Sequence, residues 1–500
     1  MKKLALFLAM LLCLTSVSAL AAEIDPSSLD PYEIVWYTVG DVAANEDAVM
    51  AEINAYLTER FNATLRFVKV KTGEIADKLQ NLVAAQEKFD IIFVSGQYPQ
   101  YVGMNAFYPL KDLMAEYGQA YLEKWPANLW QSVTIGGDYY AIPTHKFSCN
   151  HYYYCINVDD AKAHDVDTDW INDESLSVAE KWEAFQTFCM EMKDAGAGVH
   201  DYVANTNVAI FQALYPYEAI YGSNQMPGVC VIGDGSFANV EHNQVINQFA
   251  TPEFKEFCED VYALNQYGAL PQDPDTSAGI QKGDPTQAIQ DSMAKRLAGY
   301  EKSWGVAYWG EEKPVDLEPY FVNYAYQTTD KIYGSMNAIS ATSGDPERVM
   351  MFLNALAEDP AFANLVLYGR EGIDYTRNEQ GQIVKNKDLW YVYEAYYPAF
   401  IIAEPDTSLP ANMVEMYNEF AKTLTPSDNV GFAFDVTPVQ TENAAIAQIV
   451  NQYVEPLCHG LVNPETEIPK LLAELEAAGV DAYLEEMQKQ VDEWRESMGI

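Results

Sequence analysis

FDIIFVSG at 89–96 runs into the aromatic loop QYPQYVGMNAFYPLKDL at 97–113, and GGDYYAIP follows at 136–143. A short apolar run bounded by Ser and Gly is typical of a strand buried on both faces of a parallel sheet. Ligands of open α/β sheets bind outside the carboxyl ends of such strands. These residues therefore predict an α/β fold with a ligand-facing strand end, at which Tyr98 and Tyr101 stand.

The region before this strand alternates between strand and helix patterns. EIVWYTV at 33–39 and ATLRFVKV at 63–70 read as strands, and EDAVMAEINAYLTERF at 46–61 reads as an amphipathic helix. The predicted apolar face of this helix comprises Val49, Ile53, Tyr56, Leu57 and Phe61. Such alternation specifies a parallel sheet with helical crossovers.

The N-terminus has the pattern of an export signal. Two lysines at 2–3 precede an apolar run at 4–14, and Ala-Leu-Ala at 19–21 predicts cleavage before Ala22. We therefore expect an exported chain, extracellular or periplasmic. The apolar run is shorter than the roughly 18 residues of a membrane span, so no stable membrane insertion is expected. Leu12 stands where a lipobox needs a small residue before Cys13, which argues against a lipid anchor.

The surface charge is strongly negative. The formal net charge of −43 becomes −45 once the two lysines of the signal are removed. Such a field repels phosphate backbones and anionic lipids, so nucleic acid is not an expected partner. Solubility outside the cell is the simpler interpretation of the charge, and attraction of a cationic solute is the alternative.

Catalytic and cofactor motifs are missing from the sequence. The histidines form no HExxH pattern, and there is no GxSxG elbow, phosphate loop or dinucleotide fingerprint. Asp165, Asp167 and Asp169 match the start of a calcium loop, but Trp170 replaces its glycine and Leu176 its glutamate. We therefore expect no catalytic residue, no metal site and no cofactor.

The cysteines leave two alternatives open. The six that follow the signal are Cys149, Cys155, Cys189, Cys230, Cys258 and Cys458. An even number in an exported chain permits disulfides, whereas wide spacing without a CxxC pair is equally compatible with buried free thiols.

The order FDIIF, aromatic loop, YPLKDL and GDYYAIP, taken with the export signal, resembles the extracellular solute-binding proteins of ABC importers. GFAFDVTPVQTENAAIAQIVNQYVEPLCHGLV at 431–462 and LLAELEAAGVDAYLEEMQKQVDEW at 471–494 resemble the carbohydrate-binding, family 1-like branch with an enlarged C-terminal region. The resemblance implies a two-lobed, type II periplasmic-binding-protein-like fold. Each lobe would be a mainly parallel sheet flanked by helices, with a helical C-terminal extension.

The resemblance also implies a division into lobes that the chain enters more than once. The expected N-terminal lobe is 30–145 plus about 285–335, and the expected C-terminal lobe is 146–284 plus about 336–500, after a signal peptide at 1–21. Asp345 is expected to cap a helix with Pro346 in its first turn. The helix pattern at 481–494 is interpreted as core packing.

The implied function is capture of a carbohydrate, an oligosaccharide, between two lobes that close by hinge motion. The protein is expected to be a monomer whose partner is the membrane permease of an ABC importer, and it would not be an enzyme. A receptor for peptides or cationic solutes is the alternative, and a secreted glycan-degrading enzyme is the rival from another class.

Aromatic rings and polar groups suit a sugar, which has an apolar face and a rim of hydroxyls. Each candidate could equally be core, and because Trp36 and Tyr37 alternate across a strand, at most one of them faces a ligand. The candidate ligand-binding residues are Trp36, Tyr37, Thr38, Ser95, Gln97, Tyr98, Tyr101, His145, Lys146, Trp304, Tyr308, Trp309, Tyr368 and Glu371.

Overall fold

The computed structural model describes residues 26–71, 73–145, 153–173, 175–198, 208–215, 217–221, 226–232, 243–270, 317–321, 326–386, 389–390, 392, 397–407, 411–412, 414–415 and 425–499. Within these ranges two hydrophobic cores form. The first takes its residues from 34–142 and 332–430, and the second from 161–270 and 432–491. We call the parts of the chain around them the first lobe and the second lobe.

The secondary structure alternates as the sequence predicts for an α/β chain. The described strands are β1 (Tyr32–Val39), β2 (Ala63–Val70), β3 (Ile91–Val94), β4 (Thr134–Ile135), β5 (Asp138–Tyr139), β6 (Ala141–Pro143), β7 (Tyr153–Asn157), β8 (Tyr217–Ala219), β9 (Gly228–Val231), β10 (Val245–Asn247), β11 (Leu317–Phe321), β12 (Tyr326–Gln327), β13 (Met336–Ile339), β14 (Tyr375–Arg377), β15 (Ile383–Lys385) and β16 (Thr425–Pro426). The described α-helices are α1 (Glu46–Phe61), α2 (Ile75–Ala85), α3 (Tyr98–Gly103), α4 (Lys111–Tyr117), α5 (Gln119–Lys124), α6 (Ala127–Ser132), α7 (Val158–Ala163), α8 (Val178–Asp194), α9 (Val208–Leu214), α10 (Pro252–Tyr267), α11 (Thr329–Tyr333), α12 (Pro346–Glu358), α13 (Pro360–Tyr368), α14 (Gln440–Cys458), α15 (Pro464–Ala477) and α16 (Val480–Met498).

The first lobe is built on a mainly parallel sheet, as predicted. Its described strands follow the order β2-β1-β3-β13-β6. β1 is parallel to β2 and β3, and β13 is antiparallel to both β3 and β6, so β6 runs in the direction of β1. Helix α1 covers the sheet with Val49, Ile53 and Leu57 fully buried, which confirms the predicted apolar face.

The segment from β13 to Val430 belongs to the first lobe, whereas the expected division placed about 336–500 in the second lobe. Strand β13 pairs on both of its edges within the first sheet. Phe352 of α12 packs on Trp36 with ring centroids 5.8 Å apart, and Phe362 of α13 stacks on Tyr56 at 3.8 Å. The expected N-cap is confirmed, because Asp345 accepts a hydrogen bond of 3.0 Å from the backbone of α12.

The second lobe is dominated by helices. Its described three-stranded sheet, β10-β9-β8, is antiparallel, which differs from the mainly parallel sheet expected for this lobe. Only eight residues separate β8 from β9, which is too few for the crossover of about a dozen residues that a parallel pair needs. Helices α8, α10, α14, α15 and α16 supply most of the second core.

The C-terminal helix packs as its sequence pattern indicates. Met487 and Val491 of α16 are fully buried in the second core, and Trp494 contacts Phe432 with ring centroids 5.8 Å apart. The interpretation of this apolar stripe as core packing is confirmed.

Counted over the described residues, the chain passes between the two cores three times. The passages lie between Ile142 and Ala161, between Leu270 and Ile332, and at Gly431. At the third passage Val430 belongs to the first core and Phe432 to the second. Gly431 has a φ of +99°, and a Cβ there would lie 3.0 Å from the Gln131 carbonyl oxygen, so the position requires glycine.

Candidate ligand-binding site

The sheet of the first lobe changes its winding direction between β1 and β3. From β1 the chain moves to β2 on one side, and it then returns to β3 on the other side of β1. In an open α/β sheet such a switch point leaves a crevice outside the carboxyl ends of the two strands, where ligands bind. The loops that leave these ends are Gly40–Asn45 and Ser95–Gln97.

Both loops at this crevice expose polar groups. Asp41 in the first loop and Ser95 and Gln97 in the second are exposed. The second loop is tight: the Gly96 backbone N–H donates to the Tyr333 carbonyl at 3.0 Å, and Gly96 has a φ of +60°. Ser95 and Gln97, predicted as ligand contacts, are therefore presented at the strand end on a short, well-anchored turn.

The aromatic residues predicted on β1 are packing residues. Trp36 is fully buried, and its indole N–H donates to the Asn337 side chain at 3.2 Å. Tyr37, on the opposite side of the strand, packs edge-on against Phe89, and its burial raises its pKa. Thr38 is also buried. Phe352 of α12 contacts the Trp36 ring and Lys78 of α2 lies over the Tyr37 ring, so both rings pack against helices.

Tyr98 and Tyr101 of α3 also face inward. The Tyr98 hydroxyl donates to the Val133 carbonyl at 2.6 Å and accepts from the Tyr140 backbone N–H at 2.9 Å. Burial raises the pKa of Tyr98 well above its usual value. Tyr101 is 4% exposed and packs on Phe107. Both tyrosines hold α3 against the rest of the first lobe. The sequence had predicted them as ligand contacts.

His145 follows β6, whose carboxyl end lies at the same edge of the sheet. Its ring packs edge-on against Trp125 at a centroid distance of 5.6 Å, and only 5% of the residue is exposed. Burial lowers the pKa of His145 to about 4, so the imidazole is neutral at physiological pH. Within the described residues its Nδ1 has no hydrogen-bond partner. These contacts support a packing role for His145 at the first passage between the cores.

The turn after α13 is held by ion pairs. Tyr368 is 1% exposed and belongs to the first core. Glu371 accepts from the Arg377 guanidinium at 3.0 Å, and Arg370 pairs with Asp374 at 2.8 Å. Glu371, a predicted ligand contact, is therefore engaged by Arg377 on the surface of the turn.

The remaining candidates, Lys146, Trp304, Tyr308 and Trp309, lie outside the described residues. They stay predictions.

The sequence did not single out Asp41. The candidates chosen on β1 were the side chains within the strand, Trp36, Tyr37 and Thr38, whereas the carboxyl end of the strand opens into the loop at Gly40 and Asp41. The Gly-Asp pair at 40–41, directly after the apolar run, was the available signal.

The described residues also bear on metals, membranes and disulfides. No group of three or more His, Cys, Asp or Glu side chains there is arranged to hold a metal ion. Every described helix is too short or too polar to cross a lipid bilayer. Cys189, Cys230 and Cys258 are buried free thiols, which matches the second of the two alternatives for these three residues, and Cys458 is buried in the second core.

Known proteins resemble the chain over nearly its whole length. A carbohydrate ABC transporter substrate-binding protein of Streptococcus pneumoniae serotype 4 is 24% identical over 510 residues, which cover 96% of this chain and 94% of that protein. The family model DUF3502, described as a domain of unknown function, matches residues 429–496.

Solved structures share the fold. The N-glycan transport solute binding protein NgtS of Streptococcus pneumoniae superposes with a TM-score of 0.73 at 18% identity, covering 93% of this chain and 99% of that one. The same protein in complex with Man1GlcNAc gives a TM-score of 0.65 at 19% identity, covering 92% and 99%. The two-lobed fold and the resemblance drawn from the sequence are thereby confirmed.

Proposed function

We propose that this chain, which has the fold of the extracellular solute-binding proteins, is the extracytoplasmic substrate-binding component of an ABC importer. It captures a carbohydrate, an oligosaccharide, between its two lobes and delivers it to a membrane permease. The chain is exported by cleavage before Ala22 and acts as a monomer. No bond of the ligand is broken, so the protein needs no catalytic group.

The crevice between β1 and β3 is the observation that carries this proposal. Asp41, Ser95 and Gln97 are exposed on the two loops that leave the carboxyl ends of β1 and β3. Hydroxyl-rich ligands need such placed donors and acceptors once water is excluded. The curated relative, which is similar from end to end, is named for carbohydrate transport, and a solved relative holds Man1GlcNAc.

Capture requires that the two lobes approach each other. Hinge closure around a ligand is described for periplasmic binding proteins as a class. Here the third passage is tied to the second: Ser427 N–H donates to the Gln327 carbonyl at 2.9 Å, and the Thr329 hydroxyl donates to the Asn429 carbonyl at 3.2 Å. A sugar closes the lobes only if it binds the closed state more tightly than the open one.

A thermal-shift screen of residues 22–500 against mono- and oligosaccharides, peptides and polyamines tests the proposal, with product analysis of every hit. Binding to the native state raises the melting temperature by mass action. We expect a saturable shift with an oligosaccharide that is recovered intact. Cleavage of the sugar would instead identify a glycan-degrading enzyme.

The strongly negative charge favours a cationic solute or peptide as the second candidate, since Asp41 lies exposed at the crevice. A shift with polyamines or peptides and with no sugar would support it.

A matched pair of variants locates the site. Gln97→Ala removes an exposed amide at the crevice, and Gln100→Ala removes the same group three positions further along, where it is also exposed. We expect Gln97→Ala to weaken sugar binding about tenfold, the loss of roughly one hydrogen bond in a desolvated site, and Gln100→Ala to leave it unchanged. If Gln97→Ala and Gln100→Ala bound the sugar with equal affinity, Ser95–Gln97 would not be part of the site.

A further inference from the structure

The loop Gly40–Asn45, which we call the ligand loop, is anchored at both ends. At its start the Gly40 backbone N–H donates to the Val70 carbonyl at 3.0 Å. At its end the Asn45 carbonyl accepts from the backbone N–H groups of Ala48 and Val49 and so begins α1. Between the anchors Asp41 and Val42 are exposed, Val42 by 77%. The position of Asp41 in the crevice therefore depends on how these two ends are held.

Asn45 uses its side chain in an unusual way. It occupies the N-cap position of α1, where asparagine is favoured because its side chain accepts from the first free N–H groups of a helix. Here the side chain makes no such bond, and its Nδ2 donates to Oδ1 of Asp374 instead. The Asn45 amide therefore bonds Asp374, which lies 329 positions further along the chain.

Asp374 is a buried carboxylate that bonds both Arg370 and Asn45, and we call these three residues the clamp. It is 1% exposed and accepts from the Arg370 backbone N–H and from its guanidinium Nε, both at 2.8 Å. A second guanidinium nitrogen of Arg370 reaches Oδ1 at 3.2 Å. Burial acts to raise the pKa of Asp374, but the bonds and charge of Arg370 outweigh it and the pKa is lowered. The carboxylate is therefore ionised when Asn45 donates to it.

The backbone beside the clamp is shaped to bring Asp374 close. Gly369 has a φ of +86°, and a Cβ at this position would lie 2.8 Å from both Cβ and Oδ2 of Asp374. Only glycine permits that approach. The turn that the sequence marked as a candidate ligand contact thus reaches the crevice indirectly, through Asp374 and Asn45.

We propose that Asp374 is a positioning residue for the sugar, holding the ligand loop in its binding conformation through Asn45. This proposal rests on the proposed function and adds the clamp of Arg370, Asp374 and Asn45 as a determinant of affinity. A charge-assisted hydrogen bond is stronger than a neutral one, so its loss weakens the hold on the C-terminal end of the loop, where the backbone bonds of Asn45 and the bond from Ala43 N–H to Glu46 remain. When the lobes close on a sugar, the loop must then be ordered, and the entropy lost in this ordering lowers the affinity for the sugar.

Three variants at two positions test the clamp by isothermal titration with the oligosaccharide identified in the screen. Asn45→Ala removes the link and leaves the Arg370–Asp374 pair in place, and we expect about a tenfold loss of affinity. Asn45→Asp sets a second carboxylate against Asp374, and we expect a loss at least as large. The control Asn378→Ala removes an amide that bonds Gln382 within the β14–β15 hairpin at 3.1 Å, and its affinity should match the wild type.

Asn45→Asp separates positioning from mere helix capping. Aspartate ranks with asparagine at N-caps, so a simple capping role predicts unchanged affinity and stability for Asn45→Asp. Hydrogen exchange supplies a second readout, in which amides 41–45 should exchange faster in Asn45→Ala and not in Asn378→Ala. Wild-type affinity in Asn45→Asp would overturn the clamp while the proposed function stands. A wild-type protein that binds no sugar would overturn the proposed function itself, and the role in affinity with it.

Discussion

In the first lobe the described core is carried by a five-stranded sheet, whereas in the second lobe helices surround three short antiparallel strands. Parallel strands bring their carboxyl ends, and the loops that leave them, to one edge of a sheet. Antiparallel hairpins send successive loops to opposite edges. The difference explains why the described polar candidates Asp41, Ser95 and Gln97 all come from the first lobe.

Truncation of one central aromatic ring in each lobe should have the largest effect on stability, and it tests whether the two cores are separate. Trp36→Ala removes contacts with Phe67 and Phe352, and Phe211→Ala removes contacts with Phe254 and Tyr217. Each should lower the free energy of unfolding by about 3–5 kcal/mol, because both rings are fully buried. Hydrogen exchange should then rise in the lobe that carries the substitution. Loss of protection spread equally over both lobes would contradict two separate cores.

A close helix approach in the second lobe should give the next largest effect. Gly460 has a φ of +67°, and a Cβ there would lie 2.3 Å from the Val261 carbonyl oxygen of α10. Gly460→Ala should lower the unfolding free energy by about 3 kcal/mol, from backbone strain and overlap together. Gly499→Ala is the matched control, with a φ of +73° and open space around it, and strain alone should lower stability by about 1 kcal/mol. Equal losses in chemical denaturation would show that α10 and α14 can move apart.

The smallest effect concerns acid stability at the first passage. Because burial lowers the pKa of His145 from 6.5 to about 4, the unfolded chain binds a proton that the folded chain does not as the pH falls below about 6.5. This group should lower the unfolding free energy by about 2 kcal/mol between pH 7 and pH 5. His145→Gln should reduce the fall, measured by denaturation at the two pH values. A fall of the same size in His145→Gln would contradict this role of the buried imidazole.

The elements with local signals could be predicted from the sequence. The apolar face of α1 follows from helical spacing, and the cap at Asp345 follows from an acidic residue before a proline. Strands β1, β2 and β3 were recognisable as apolar runs that alternate with helices. These features depend on neighbours within a few residues of each other.

The features that were missed depend on distant partners. Nothing near Met336 shows that β13 pairs between β3 and β6, so the lobe boundary was placed just before it. Tyr98 was assigned to a ligand because its hydroxyl partners, the backbones of Val133 and Tyr140, cannot be inferred from adjacent residues. Burial of Trp36 likewise depends on Phe352, which is supplied by a helix much later in the chain.

The late arrival of β13 also bears on biogenesis. Strands β3 and β6 are made long before Met336–Ile339, and the residues of the second core at 161–270 are made in between. Until β13 is inserted, both strands have edges with unpaired N–H and C=O groups, which are prone to pair with other chains. Because the chain is made from its N-terminus, the first sheet cannot be completed until Met336–Ile339 has been made. Synthesis of this protein therefore includes a period in which the sheet is open, and holding factors that bind unfolded chains would protect it during that period.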